Sequence, residues 1–386
     1  MNDDKILITE YEGHTLVSVK EDGMFRSLSL IPDDDKIIGS IINARVDKKA
    51  DNIEAVFVCL DGREMGYLEG TGLKPGDLLP VMIEKSSLKE KRAVVTKNLS
   101  LKGLTCIVSD GKGRVRCSKK LPLKTKERLE KLLKPLAEER PYDVIIRTNA
   151  RYTTDDIVLE EYKMLCGRLE RIHDIAAKRT AYSVLYRQYG AVSEKILSLN
   201  LSRCYDIITD IKEIYDTVKE EILEGLPEGL KDRLSLKLYE DDQVKLFTSY
   251  GLKTCLFEAL GKKVWLRSGG YLIIEETEAL NVIDVNTGKT SGNGSKEETI
   301  KKINTEAVVE AARQIRLRNL SGIIIMDLIN MKREEDLNEL IGLLKDEIKK
   351  DPVQTSFHDV TKLSLIELTR KREYVSLKES MGNIKI

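Results

Sequence analysis

The sequence predicts a multidomain protein of mixed α/β and α+β class. Three observations carry that expectation. A chain of 386 residues exceeds what one core usually organises, so two to four domains are expected. Residues 36–100 hold five short β-rich runs separated by turn residues, the pattern of a small barrel. Two β-branched runs, Leu280–Val285 and Gly322–Leu328, flank a strongly periodic helical stretch, which is the pattern of a βαβ unit.

Composition narrows the class. The 64 basic and 64 acidic residues balance, so net charge excludes no partner by itself. No apolar run approaches the ~18 residues a membrane helix needs, and the start MNDDKILITEYEG lacks a basic region followed by an apolar one. A soluble, cytoplasmic protein without a membrane span is expected. The six cysteines (59, 106, 117, 166, 204, 255) form no CxxC pair. Reduced thiols are therefore expected, with neither a disulfide framework nor a structural zinc site.

In chain order, residues 1–35 read as two strands around the turn Glu12-Gly13, too little to bury a core alone, so they must pack on something later. The five runs of 36–100, turned at Asp61-Gly62 and Pro75-Gly76-Asp77, suggest a Greek-key barrel such as an OB-fold. Phe57 and Tyr67 fall on its second and third strands. They either fill the barrel or stand outside it, where they could stack unpaired bases. Between Lys85 and Lys120 eleven Lys/Arg meet only two acids, Glu90 and Asp110. A local stripe of one sign next to aromatics favours single-stranded nucleic acid as partner.

Residues 101–192 read as a strand, a helix near Thr125–Ala137, the strand YDVIIRTNA, and a long helical region from about Thr154 to Arg187. Its expected buried face is Ile157, Tyr162, Leu165, Leu169 and Ile172. Arg147 and Thr148 follow the strand. A guanidinium fork beside a hydroxyl suits a terminal phosphate, although a surface ion pair is the commoner role of such an Arg. Residues 193–260 mix helix and strand, a helix follows at 334–350, and the tail carries two strand-like runs with a basic cluster, Arg370-Lys371-Arg372, that could lie near the acidic pair described next.

In the βαβ stretch, Ser295 and Glu298 form a capping box, and Ile303, Ala307, Ala311 and Ile315 keep the helical stripe. Each flanking run carries one acid near its carboxyl end, Asp284 and Asp327. Parallel neighbours lie about 4.8 Å apart, so the two carboxylates would emerge side by side at the edge where open α/β sheets keep their sites. Carboxylates that close repel unless a cation or proton lies between them, and oxygen-only donors favour Mg²⁺ or Mn²⁺ over zinc. Asn286, two residues after Asp284, is expected at the same edge, where it would position a carboxylate or a substrate phosphate. The competing reading makes Asp284 a turn cap and Asp327 a strand end.

These residues also carry a likeness. The runs KKVWLRSGGYLIIEETEALNVIDVNTGK, NTEAVVEAARQIRLRNLSGIIIMDLINM and VTKLSLIELTRKR closely resemble the catalytic region of the ribonuclease E/G family. Upstream, GSIINARV, EAVFVCLDGREMGYLEG, LKPGD and KRAVVTKNLSLKG resemble its OB-fold RNA-binding domain, VIIRTNA its 5′-phosphate sensor, and YEDDQVKLFTSYGL its RNase H-like piece.

The resemblance implies an RNase H-like domain (1–35 with 193–258), an OB-fold (36–100), a 5′-sensor (101–192) and a DNase I-like catalytic domain (259–386). It further implies a Mg²⁺-dependent endoribonuclease that acts on single-stranded RNA in RNA decay and rRNA maturation, is favoured by a 5′-monophosphate, and leaves a 5′ phosphate and a 3′ hydroxyl. Asp284 and Asp327 would hold the ion with help from Asn286, Phe57, Tyr67 and Lys91 would bind RNA, and Arg147 and Thr148 would hold the 5′ phosphate.

Asn330 stands where the family usually has an acid, and Arg92 where a glycine is common. The family's CPxC-type zinc link and small dimerisation domain are not found before Ile386, which leaves the oligomeric state open. Two other classes stay in view. One is an NTPase, from Gly288-Lys289-Thr290, although Ile283 stands where a Walker A glycine belongs. The other is a non-catalytic RNA-binding protein.

Overall fold

The computed structural model describes residues 4–31, 38–50, 54–70, 72–85, 92–187, 191–241, 243–288, 295–372 and 375–382. Lys91, Lys289 and Thr290 lie outside the described residues. The chain is a mixed α/β protein that divides into two compact units, residues 1–31, 205–215 and 237–386, and residues 32–204 and 216–236.

In the first unit the N-terminal segment forms three antiparallel strands, Lys5–Tyr11, His14–Glu21 and Met24–Ile31. Both connections are two-residue turns with positive φ, Glu12-Gly13 and Asp22-Gly23, the backbone that the right-handed twist of a hairpin demands. The third strand was not expected, although Asp22-Gly23 signals its turn. The later partner these strands require is Tyr205–Thr209, which runs parallel to Lys5–Tyr11. Leu7, Leu16, Leu28 and Ile208 pack there with Leu252 and Leu256 of the helix Leu252–Leu260.

The same unit holds a six-stranded sheet in the order Lys263–Trp265, Tyr271–Glu276, Asn281–Asn286, Gly322–Asp327, Leu365–Arg370, Thr355–Val360. The helix Lys296–Leu317 makes the parallel crossover, and its capping box is formed: Ser295 Oγ accepts from Glu298 N at 3.2 Å, and Ser295 N donates to Glu298 Oε2 at 3.0 Å. One sheet face is the core. Leu272, Ile283, Val285, Ile324, Met326, Ile366 and Leu368 bury against Ile303, Ala307, Ala311 and Ile315 of that helix and against Leu340, Leu344 and Ile348 of Glu334–Lys349.

The second unit contains a small closed barrel. Strands Ile41–Lys49, Ala55–Cys59, Met65–Glu69, Ala93–Thr96 and Leu78–Lys85 pair in that order, and the last closes on the first. All five expected strands are present, and Val184–Tyr186 adds to the outside of the first. A four-stranded sheet (Val115–Cys117, Tyr142–Ile146, Cys106–Asp110, Ser100–Lys102) is covered by the helices Leu123–Glu138 and Asp155–Ala176.

The second helix stops at Ala176, eleven residues short of the expected Arg187, because the chain turns back to supply Val184–Tyr186 to the barrel. Its buried face includes Tyr162, Leu165, Leu169 and Ile172 as expected, with Val158 in place of the half-buried Ile157.

The six cysteines are free thiols. Burial pushes the Cys255 thiol up to about 11, which keeps it protonated and unreactive. Among the described residues no helix is long and apolar enough to cross a membrane.

Candidate functional site

The parallel pairing of Asn281–Asn286 with Gly322–Asp327 places Ile283 opposite Met326 and Asp284 opposite Asp327. Because side chains alternate across a sheet, the pair Ile283 and Met326 lies in the core while Asp284 and Asp327 share the opposite, open face. Asp284 is half-buried and Asp327 exposed. Asn286 stands on the same face, and its Nδ2 donates to Asp284 Oδ2 at 2.8 Å, fixing that carboxylate's rotamer and leaving its second oxygen available.

Two backbone devices hold the strand ends. Gly288 has φ +59°, and a Cβ there would stand 2.2 Å from the Gly269 carbonyl oxygen, so only glycine lets the two turns meet beside Asn286. After Asp327, the side chain of Asn304 clamps Ile329 from both sides: Nδ2 donates to its carbonyl at 2.7 Å and Oδ1 accepts from its N–H at 3.1 Å. Asn304 is fully buried on the crossover helix. Its polarity inside an otherwise apolar stripe was the only sequence signal of this role.

Two adjacent carboxylates and an amide are hard oxygen donors of the kind that Mg²⁺ or Mn²⁺ takes together with several waters. Among the described residues no group of three or more His, Cys, Asp and Glu side chains converges, so water would supply the remaining ligands.

The tail's basic cluster is not part of this site. Arg370 pairs with Gly322, at the far end of the strand from Asp327. Its guanidinium is buried against Asp351, with Nε to Oδ2 at 2.7 Å, and also bonds Asn319 Oδ1 and the Leu320 carbonyl. Arg372 pairs instead with Glu379.

On the barrel, Phe57 and Tyr67 are register partners with ring centroids 6.3 Å apart in an edge-to-face arrangement. Val56, Val58 and Leu68 fill the interior, so the two rings stand on the outer surface, half-exposed. A register shift after Val46 sets Lys48 opposite Phe57, and its Nζ lies 6.0 Å from that ring. Arg92 stacks on the same ring at 4.3 Å. The arginine that departs from the family's glycine thus lays a cation on the aromatic surface.

Arg147 and Thr148 follow the strand Tyr142–Ile146 at the start of the 3₁₀ turn Thr148–Tyr152, both half-buried. The Arg147 guanidinium bonds the Gly103 carbonyl, and Thr148 Oγ1 lies 3.0 Å from Ser118 Oγ. Burial draws Arg147 below its ordinary value while the neighbouring charge of Glu161 raises it. Glu161 is itself buried on the helix and accepts from the backbone N–H of Leu104 and Thr105, each at 2.7 Å. A Cβ on Gly103 would come within 2.6 Å of that carboxylate. The structure therefore brings together Asp284, Asn286 and Asp327 in the first unit, and in the second Phe57 with Tyr67, and Arg147 with Thr148.

Fold and site define an α/β protein with a paired-carboxylate sheet face, joined in one chain to a barrel with an aromatic, cationic surface. Residues 100–373 match the model of the Ribonuclease E/G family, and the chain belongs to that family. It is 30% identical to ribonuclease G of Haemophilus influenzae, over 97% of this chain and 80% of that protein. It is 29% identical to ribonuclease G of Escherichia coli over 90% and 75% of the two chains. With ribonuclease E of Synechocystis the identity is 27%, over 89% of this chain and 54% of that protein.

Proposed function

We propose that the chain is an endoribonuclease that cuts single-stranded RNA on the Asp284–Asp327 face with Mg²⁺, or Mn²⁺ in its place. The observation that carries this reading is the parallel register that sets the two carboxylates side by side away from the core. Membership of a family whose relatives are named ribonucleases E and G supports the reaction class.

Asp284 and Asp327 would hold the divalent ion, with Asn286 fixing the orientation of the first carboxylate. When bound, the ion supplies Lewis-acid stabilisation of a phosphodiester oxygen and an activated water. Phe57 and Tyr67 stack unpaired bases, while Lys48, Arg92 and the proposed Lys91 meet phosphates. Arg147 and Thr148 receive a 5′ monophosphate, which stimulates cleavage. The products carry a 5′ phosphate and a 3′ hydroxyl.

In this reading the barrel is the OB-fold, residues 101–192 the 5′-sensor, residues 1–35 with 193–258 an RNase H-like domain, and residues 259–386 a DNase I-like catalytic domain. The setting is the cytoplasm, and the work is RNA decay and rRNA processing. A second reading, a non-catalytic RNA-binding scaffold, is favoured only by the convergence of no more than two carboxylates among the described residues.

The test is a labelled single-stranded oligonucleotide, with 5′-phosphate or 5′-hydroxyl, incubated with and without Mg²⁺. Asp284→Asn and Asp327→Asn are each expected to lower cleavage by roughly 10²-fold or more while leaving RNA binding within about twofold. Cleavage by either variant at the wild-type rate removes the pair from the reaction. An intact protein that binds but never cuts establishes the second reading.

A further inference from the structure

The open face that carries Asp284 and Asp327 holds an aromatic pair with no part in the reading above. Trp265 lies on the edge strand Lys263–Trp265, opposite Tyr271, and Tyr271 lies opposite Asn286. One row along, Lys263 stands opposite Ile273, which faces Asp284, which faces Asp327. Alternation therefore puts Lys263, Trp265, Tyr271, Asn286 and both aspartates on one surface, while Val264, Leu266 and Leu272 turn to the core. With strands about 4.8 Å apart, Trp265 stands roughly 10 Å from Asn286 across the sheet.

Nothing in the packing asks for a tryptophan here. Its side chain is 64% exposed, an unusual cost for the largest aromatic in a chain with only one. The ring is nevertheless held: the Trp265 and Tyr271 centroids are 5.3 Å apart at 65°, and Lys263 Nζ sits 3.8 Å from one and 3.7 Å from the other. A cation shared by two rings orders both, and the indole still keeps most of its surface in solvent. An ordered, solvent-facing aromatic beside a lysine is the surface that binds an unpaired base and its phosphate.

We propose that Trp265 and Tyr271, with Lys263 between them, form a stacking platform for an unpaired base within a nucleotide or two of the cleaved phosphate. The proposal deepens the nuclease reading and rests on it for the identity of the strand. Stacking uses a π-face that every base has, so the platform selects unpaired over paired RNA at the cleavage position rather than one base over another. These residues position the strand; they do not perform chemistry on it.

Because Trp265 is the single tryptophan, its fluorescence reports the platform directly. The full chain is titrated with a short single-stranded RNA in EDTA, so that nothing is cut, and binding is followed in parallel by filter retention. Quenching that tracks binding is expected, and it should be lost when the nucleotide at the platform is replaced by an abasic one with the same phosphates. In Mg²⁺, Trp265→Ala is expected to raise KM about tenfold and change kcat less than twofold, whereas Trp265→Phe keeps KM within about threefold. The abasic substrate should cost Trp265→Ala nothing further.

RNA binding with unchanged fluorescence, or equal loss with intact and abasic substrates, overturns the platform while leaving the aspartate pair untouched. Quenching by RNA in a protein that never cuts supports the platform and sinks the nuclease reading instead. If Trp265→Ala converts a dimer to monomer in sedimentation and leaves RNA affinity unaltered, the ring is a contact with a second copy, and the platform is overturned.

Discussion

The clamp from Asn304 to Ile329 makes the link between fold and site measurable. In Asn304→Ala both backbone groups of Ile329 lose their partners, two residues beyond Asp327. The position is fully buried, so water cannot replace the amide without opening the core. An unsatisfied buried donor or acceptor costs about 1–3 kcal/mol, and two of them, partly relieved by movement of the loop, give about 2–4 kcal/mol. Relaxation of Ile329 also releases the end of the strand that aims Asp327, and a misplacement near 1 Å can cost about 10²-fold in rate.

Guanidinium unfolding followed by the fluorescence of Trp265, which lies in the same unit, should show a lower midpoint at an unchanged slope. Hydrogen exchange should accelerate in peptides spanning residues 325–331. The cleavage rate should fall with kcat reduced and KM for RNA nearly constant. A loss below about 0.5 kcal/mol, or normal turnover despite rapid exchange in that segment, would show that the loop is held by something other than this amide.

Two further outcomes are expected. Phe57→Ala should weaken single-stranded RNA binding by roughly 5- to 100-fold, and Arg92→Ala by less while flattening the salt dependence, both read by filter binding across salt concentrations; a Phe57→Ala variant with wild-type affinity would remove the barrel surface from RNA recognition. Asp143 is buried, which opposes its charge, yet the N–H groups of Arg114 and Lys112 and the Arg114 guanidinium hold its carboxyl at about 2. A depressed folded-state value means stability that is present above about pH 4 and lost as pH falls towards 2. With Arg114 and Arg116 more than half exposed, solvent screening limits the effect to about 1–2 kcal/mol. Thermal melts between pH 5 and 2 should therefore show a smaller acid loss in Asp143→Asn than in wild type, and equal losses would refute the assignment.

What the sequence disclosed and what it withheld follow from the range of the interactions. The capping box at Ser295 and Glu298, the turn at Glu12-Gly13 and the five barrel strands are local patterns, and each formed where its residues pointed. That Asp284 and Asp327 share a face was legible from the strand–helix–strand order and from the apolar alternation of Ile283, Val285, Ile324 and Met326. Their register was not, since a slip of two residues would bury the same side chains. Glu161 was not legible. An acid on a helix reads as a solvated face until the backbone of Leu104 and Thr105, 57 and 56 residues away, is brought to it. Arg370 was read as part of a basic cluster, although its alternation with Ile366 and Leu368 placed it inward, where Asp351 neutralises it. Whether Phe57 and Tyr67 stood inside or outside the barrel depended on closure between Ile41–Lys49 and Leu78–Lys85, which no short window contains.

The two acids are spaced by a ladder of main-chain bonds, not by the reach of flexible loops. Their main-chain spacing is thus set by strand pairing, and only the side-chain rotamers and the strand ends remain to be fixed by neighbours such as Asn286 and Asn304. Side chains on the outlying strands of the sheet can be exchanged without altering that register.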